Sequence, residues 1–404
     1  MSTKNIQSIP VGPLGIIAMK NIEPLAEKVD AYIASWRSER DKQAEENEIH
    51  FRGYTRDSYI IEAEAPRFGS GEGKGRIKES VRGDDIYIMV DVLNYSLTYK
   101  LCGMVNHMSP DDHYQDLKRI IGAIAGKATR VNVIMPFLYE SRQHRRTARE
   151  SLDCAQMLQE LISCGVDNII TFEAHDPRVQ NAIPNSGFEN VTCTYQFIKK
   201  ICKISPDLLI DKDHLMVISP DEGGMGRVVT FANYLGVDAG MFYKRRDYTR
   251  IIDGKNPIVA HEFLGRDVEG KDVLILDDMI SSGDSMIEVA AELKKRHARH
   301  VYCLATFGLF TNGLEKFDKA VADGIIYKVL TTNLSYLRPE LLERSYYACV
   351  DLSKYIALII DSLNHNYTLG DLLSPTDRIN TFLNNHKISQ LERARKAQSS
   401  PADT

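Results

Sequence analysis

Short apolar runs rich in Ile, Val and Leu recur from Leu14 onward. Each is followed by a turn and then by a stretch whose apolar residues fall three and four apart. The runs are Ile86–Val90, Val131–Met135, Ile169–Phe172, Met216–Ile218, Val273–Leu276 and Val301–Ala305, and such unbroken runs fit strands buried on both faces. The periodic stretches between them predict helices at Ala148–Cys164, Gly226–Leu235 and Ser285–His300. Strands and helices in alternation specify an α/β protein, and two neighbouring parallel sheets with helices on both faces account for the pattern. Two polar stretches stand apart. Residues 38–56, SERDKQAEENEIHFRGYTR, predict a solvated helix or connector, and Ser374–Thr404 predicts an exposed helix with a frayed tail.

Composition narrows the class. A chain of 404 residues, 43% hydrophobic and 26% charged, has a globular composition and a length that fits two domains or one large one. Its formal charge of -5 lacks the basic footprint of nucleic-acid binding, so an anionic ligand needs a local positive site. No run approaches the roughly 20 apolar residues that span a bilayer. MSTKNIQSIP at the start has no apolar signal core, so a cytoplasmic protein without membrane contact is expected. The cysteines (Cys102, Cys154, Cys164, Cys193, Cys202, Cys303, Cys349) are odd in number and contain no C-x-x-C pair. They indicate reduced, mostly buried thiols rather than a disulfide framework or a zinc site.

The strongest local signal is KDVLILDDMISSGDSMIEVAAELKK, residues 271–295, where two carboxylates end a buried strand and a small-residue turn precedes a helix. Ligands of open α/β sheets bind at such strand ends. The turn Ser281, Ser282, Gly283, Asp284, Ser285 can fold its N–H groups around a phosphate at the positive end of the following helix. Asp277 and Asp278 are then placed to hold ribose hydroxyls, directly or through a metal. A second glycine-rich fragment, GSGEGKG (69–75), imitates a Walker loop. Position 68 is Phe instead of Gly, however, and Gly75 follows Lys74 where Ser or Thr should bind Mg²⁺.

The 271–295 run resembles the phosphoribosyl diphosphate loop of type I phosphoribosyltransferases and ribose-phosphate pyrophosphokinases. Four further segments, in the correct order, resemble the pyrophosphokinases, and the likeness runs from about Leu14 to Leu373. RFGSGEGKGRIKESVRG (67–83) is similar to the family's nucleotide loop, which implies that Phe68 stacks on adenine and Glu72 contacts ribose; Ser70 stands where the family usually has Asp. MPFLYESRQHRR (135–146) resembles the Tyr-Ala-Arg-Gln-Asp-Arg run and carries over Arg142, Gln143 and Arg145 as ATP-binding residues, with His144 at the family's Asp. A guanidinium offers phosphates paired, directed donors that Lys cannot. IITFEAHDPRVQNAIP (169–184) and VISPDEGGMGR (217–227) resemble the segments that supply the Mg²⁺ ligands, here His175 and Asp221.

MFYKRRDYTR (241–250) resembles the family's mobile flap, with Lys244 and Arg246 as its catalytic cations; the polar, turn-rich sequence that follows suits a moving flap. Ser80 and Arg82 match an intersubunit regulatory phosphate site. The resemblance implies two duplicated phosphoribosyltransferase-like domains, each with a central parallel sheet flanked by helices, and an active site between them. Residues 13–187 would form the ATP side and 188–373 the ribose 5-phosphate side, flanked by tails 1–12 and 374–404, with a C-terminal piece near Val350–Leu363 packing back on the first domain. The implied activity moves the β,γ-diphosphate of ATP to carbon 1 of ribose 5-phosphate with Mg²⁺ as cofactor, in a homo-oligomer of dimers assembled to a hexamer. A type I phosphoribosyltransferase and a catalytically inactive regulatory homologue are the alternatives. The loop departs from the family's Asp-Thr-(Gly/Ala)-Gly-Thr: Ser281 replaces the first Asp, and Asp284 introduces a charge that either caps the helix or repels a phosphate.

Overall fold

The computed structural model describes residues 8–43, 53–246 and 258–399. The chain divides into two compact units: Met1–Cys193 with Asn333–Tyr336 and Asp351–Leu373, and Thr194–Thr332 with Leu337–Val350 and Ser374–Thr404.

In the first unit the chain runs β1 (Leu14–Ala18), α1 (Glu23–Gln43), β2 (Ala63–Glu64), β3 (Arg76–Ile77), β4 (Asp85–Met89), β5 (Thr98–Leu101), β6 (Met104–His107) and α2 (Pro110–Ile124). It continues through β7 (Arg130–Ile134), α3 (Asp153–Ser163), β8 (Asn168–Phe172) and β9 (Gly187–Val191). The second unit follows with α4 (Thr194–Ile204), β10 (Leu215–Ser219), α5 (Met225–Leu235), β11 (Asp238–Arg246), β12 (Ile258–Leu264), β13 (Asp272–Ile280) and α6 (Asp284–Lys295). Then come β14 (Val301–Gly308), α7 (Glu315–Ala322), β15 (Lys328–Thr332), α8 (Pro339–Leu342) and β16 (Tyr347–Val350). The chain returns to the first unit with α9 (Ser353–Asn364) and α10 (Gly370–Leu373), and ends in the second with α11 (Thr376–Ser399).

The first unit's sheet is wholly parallel in the order β1-β4-β7-β8-β9. Strand β4, DIYIM, is buried at every position, which is why it reads as an unbroken run rather than an alternation. One face carries Leu117, Ile120, Ile121 and Ile124 of α2 with Met157, Leu158 and Leu161 of α3. Helix α9 packs against α1 through a buried ion pair. Arg37 Nε donates to Asp361 Oδ1 at 3.0 Å and Arg37 Nη2 to Asn364 Oδ1 at 2.7 Å, with both charged side chains only 1% exposed. Asn364 Nδ2 donates on to Asp85 Oδ2 (2.9 Å), which also takes Arg130 Nη2 (2.7 Å), so the return segment is bonded to the amino end of β4 and β7.

In the second unit the order is β12-β11-β10-β13-β14-β15-β16, antiparallel only between β11 and β12. From β10 the chain goes to β11 on one side and comes back to β13 on the other, so the strand order reverses between β10 and β13. Helix α11 is more than a solvated tail: Ile379 is buried, Phe382 meets Tyr195 of α4 edge-on, and Gln390 Nε2 donates to the carbonyls of Pro206 and Leu208. Several predicted boundaries move: α6 stops at Lys295 rather than reaching His300, and β14 runs on from Ala305 to Gly308. The helix expected from Ala148 starts at Asp153, because residues before it are held in turns by Gln143 and Glu150. Strand β13 continues past Leu276 to Ile280, because β14 runs alongside it as far as Gly308. No described helix is long and apolar enough to cross a membrane.

Candidate functional site

The strand order reverses between β10 and β13, and the carboxyl ends of strands at such a reversal are where open α/β sheets bind ligands. Pairing of β10 with β13 stops at Ile218–Ile275, so Asp277 and Asp278 lie on a part of β13 that β10 no longer flanks. The loop after β10 fills that side. Ser219 Oγ donates to the Asp221 carbonyl (2.6 Å), and Asp221 Oδ1 accepts from Gly223 N–H (2.9 Å) and Gly224 N–H (3.4 Å), leaving the residue exposed. Gly224 lies against Ser219 and near the Leu276 carbonyl, where a Cβ would collide with Ser219 Oγ.

The two acids differ in environment. Asp278 N–H donates to Asp277 Oδ1 at 2.8 Å. Burial first, and then the adjacent negative charge of Asp278, push Asp277 well above the usual carboxylate range, while Arg227 pulls it down. Arg227 Nη2 stands 4.0 Å from Asp278 Oδ2. A ribose diol donating hydroxyls to this pair, or a cation beside it, would favour its ionised form. Sequence reasoning missed Arg227, although it closes the quoted 217–227 segment. Its spacing from Asp221 puts it in the first turn of α5, facing β13.

The turn Ser281–Ser285 follows β13 directly. Gly283 takes φ +83° and precedes α6, whose first bond runs from Ile287 N–H to the Gly283 carbonyl. A side chain there would be strained by that φ and would overlap Phe317. Ser281 accepts at its carbonyl from Thr311 N–H, and Ser282 Oγ accepts weakly from Asp284 N–H at 3.4 Å. Asp284 is not the helix cap that the sequence allowed: it is the first helical residue, and its carboxylate pairs with Lys316 of α7. Lys316, and after it Ser282, hold Asp284 below the usual carboxylate range. Ser285 is the second residue of α6, in the turn whose N–H groups have no helical acceptor.

Lys244 and Arg246 end β11, in register with His261 and Ile258 of β12, and the register shifts between Arg245 and Arg246. The rest of the expected flap, residues 247–257, lies outside the described residues.

In the first unit two of the sequence-predicted segments come together. The His144 ring centroid is 5.3 Å from that of His175, and His144 Nε2 is 3.6 Å from Asp176 Oδ2. Asp176 caps the short helix Pro177–Ala182 and binds Arg178, which lowers it to about 2. His175 is exposed on the turn after β8; the turn is fixed by Ala174 N–H on Asn190 Oδ1 (2.9 Å) and Cys193 N–H on Glu173 Oε1 (2.8 Å). Arg142 and Arg145 are exposed. Gln143 is committed locally, its Nε2 donating to the Ser151 carbonyl at 2.8 Å.

Phe68 is 54% exposed on a tight turn closed by Phe68 N–H on the Glu72 carbonyl (2.7 Å), and Ser70 Oγ donates to Glu72 Oε2 (2.9 Å). An exposed aromatic on a fixed turn offers a stacking face. Gly75 serves packing, since a Cβ there would overlap the Arg119 carbonyl of α2, and the segment leads into β3 rather than a helix, so it is no Walker loop. Ser80 and Arg82 are both exposed, with Arg82 N–H reaching Ser80 Oγ at 3.4 Å.

Comparison with known proteins follows the same division. The profile of the N-terminal domain of ribose phosphate pyrophosphokinase matches residues 14–165, and that of the phosphoribosyl transferase domain matches residues 189–331. Ribose-phosphate pyrophosphokinases of Vibrio parahaemolyticus and Shewanella oneidensis are each 28% identical to this chain. The alignments cover 78% and 76% of it, and 91% and 89% of the relatives. The crystal structure of phosphoribosylpyrophosphate synthetase from Mycobacterium smegmatis matches with a TM-score of 0.66 at 21% identity, covering 87% of this chain and 99% of that one. That likeness concerns the fold, which comprises two phosphoribosyltransferase-like α/β domains.

Proposed function

The chain belongs to the ribose-phosphate pyrophosphokinase family, and on that premise we propose that it transfers the β,γ-diphosphate of ATP to carbon 1 of ribose 5-phosphate. The products are phosphoribosyl diphosphate, used in nucleotide biosynthesis, and AMP. The observation that carries this reading is the convergence of Asp221, the Asp277–Asp278 pair and the Ser281–Ser285 turn at the switch point of one sheet, in a chain that matches the family along both halves. A type I phosphoribosyltransferase needs only the second of those halves.

The assigned roles follow from the chemistry of each group. Phe68 stacks on adenine, Glu72 meets the nucleotide ribose, and Arg142, Gln143 and Arg145 belong to the ATP site, where the two guanidiniums hold the phosphates or the adenine edge. The turn Ser281–Ser285 takes the 5-phosphate on its N–H groups, and Asp277 and Asp278 hold the ribose hydroxyls so that the anomeric oxygen lies in line with Pβ. Asp221, exposed and with Oδ1 accepting from Gly223 N–H, and His175, exposed on its turn, are the residues that would supply protein ligands to Mg²⁺, an ion that accepts carboxylate oxygens and otherwise keeps waters and substrate phosphates. When bound, Mg²⁺ neutralises charge on the ATP phosphates.

The anomeric hydroxyl attacks Pβ and loses its proton to solvent, forming the new O–Pβ bond as the bond from Pβ to the α-phosphate oxygen breaks. Negative charge grows on that leaving oxygen, and Lys244 and Arg246 supply the cations that meet it. The enzyme acts in the cytoplasm as dimers assembled to a hexamer, with Ser80 and Arg82 at a regulatory phosphate site.

The test incubates the protein with ATP, Mg²⁺ and ribose 5-phosphate and follows both products by chromatography. Equal yields of AMP and phosphoribosyl diphosphate are expected, with kcat reduced about a hundredfold to a thousandfold in Lys244→Ala. An absence of product across nucleotides and pentose phosphates would leave the inactive regulatory homologue as the better reading.

A further inference from the structure

The phosphate turn contains an element that works against its proposed ligand. Asp284 puts a carboxylate within the Ser281–Ser285 turn, and an uncompensated carboxylate beside a phosphate dianion is repulsive. The structure supplies the compensation from another element. Lys316 Nζ forms an ion pair with Asp284 Oδ1, and both side chains are accessible, at 57% and 42% exposure.

Helix energetics alone do not favour Lys316 where it stands. It lies in the first turn of α7, where the helix dipole is positive and a cation is unfavourable. What fixes it there is packing. Phe317, fully buried, fills the space beside Gly283 that a Cβ would occupy and meets Phe310 edge-on at 5.2 Å. Backbone bonds from Leu309 N–H to the Ile280 carbonyl (2.8 Å) and from Thr311 N–H to the Ser281 carbonyl (2.9 Å) join the approach to α7 to the turn itself. The residue preceding Phe317 is therefore delivered to the rim of the phosphate turn.

We propose that Lys316 is a specificity-determining residue of the anionic subsite: it holds and neutralises Asp284, and so lets the turn accept the 5-phosphate of the acceptor sugar. This rests on the reading of 281–285 as the ribose 5-phosphate loop. The same pair accounts for how this chain carries an acid at position 284, where the turn of the resembling family has Gly. An exposed ion pair contributes little to folding stability, so loss of Lys316 should act on ligand binding rather than on the fold.

Calorimetric titration with ribose 5-phosphate tests the idea independently of turnover, on wild type, Lys316→Ala and the double variant Asp284→Asn/Lys316→Ala, with thermal melts as the folding control. The expected result is about a tenfold loss of affinity in Lys316→Ala, most of it recovered in the double variant, with melting temperatures unchanged. Equal affinity in wild type and Lys316→Ala would overturn the proposal, as would a loss that the second substitution does not recover. A wild type that binds ribose 5-phosphate but forms no phosphoribosyl diphosphate would overturn the pyrophosphokinase reading and leave the role of Lys316 standing. Failure of wild type to bind ribose 5-phosphate would remove both.

Discussion

Single residues in this protein take their chemistry from a neighbour in space. Asp277 is an ordinary aspartate by sequence, yet burial and the charge of Asp278 raise its proton affinity, and Arg227 acts in the opposite direction. Removing Arg227 should therefore raise Asp277 further and keep the pair protonated to higher pH. If the ionised pair is the form that holds the ribose, the acid limb of the pH profile of kcat/KM for ribose 5-phosphate moves to higher pH in Arg227→Ala. Affinity should fall about tenfold near neutrality, by loss of a charge-assisted contact. An unmoved profile would show that Arg227 does not govern the pair. Gly283 is a residue-scale constraint of another type, where positive φ and the Phe317 ring both exclude a side chain. Such a glycine is visible in sequence only as part of a small-residue turn.

Between elements, the joint of α1 with α9 depends on a charge pair sealed from water. Arg37 and Asp361 are separated by 324 positions along the chain, and each is about as buried as a core leucine. Breaking such a pair by removing one partner leaves an uncompensated buried charge, which costs about 3–5 kcal/mol. Asp361→Ala should lower stability by at least that amount in urea-induced unfolding, because Arg40 also pairs with Asp361, and the loss should exceed that of Arg37→Met/Asp361→Leu, which leaves only Arg40 without its partner. If the single and double variants prove equally stable, the pair has no such role. The antiparallel addition of β12 to the edge of the second sheet is also an element-scale feature. It pairs the segment carrying Lys244 and Arg246 with an antiparallel neighbour, a strand pairing that the expectation of a turn-rich mobile flap did not include.

At the scale of the whole molecule, the path of the chain matters more than any one element. The first unit is closed by residues 333–336 and 351–373, and the second by 337–350 and 374–404, so the chain passes back and forth between the two after Thr332. Neither unit is a simple sequence interval, and separate expression of residues 1–193 would omit α9 and with it the partners of Arg37. The proposed assembly belongs to this scale as well. Light scattering on the purified protein should give six times the chain mass, and a monomeric, fully active species would refute the hexamer.

Much of the fold was legible locally. The six quoted apolar runs each became a strand, because a strand buried on both faces must be apolar at consecutive positions. The Asp277–Ser285 segment was legible because a strand, paired acids and a small-residue turn are contiguous in the chain. The pairing of Asp284 with Lys316, the approach of Arg227 to Asp278, the meeting of His144 with His175 and the burial of Arg37 against Asp361 were not legible. Periodicity and turn chemistry are written in neighbouring residues, so the sequence by itself determined the elements, their α/β class and the candidate phosphate turn. Which charges meet depends on the order of strands in a sheet and on which helix face packs where. Those are outcomes of long-range burial, and only the tertiary structure decided them.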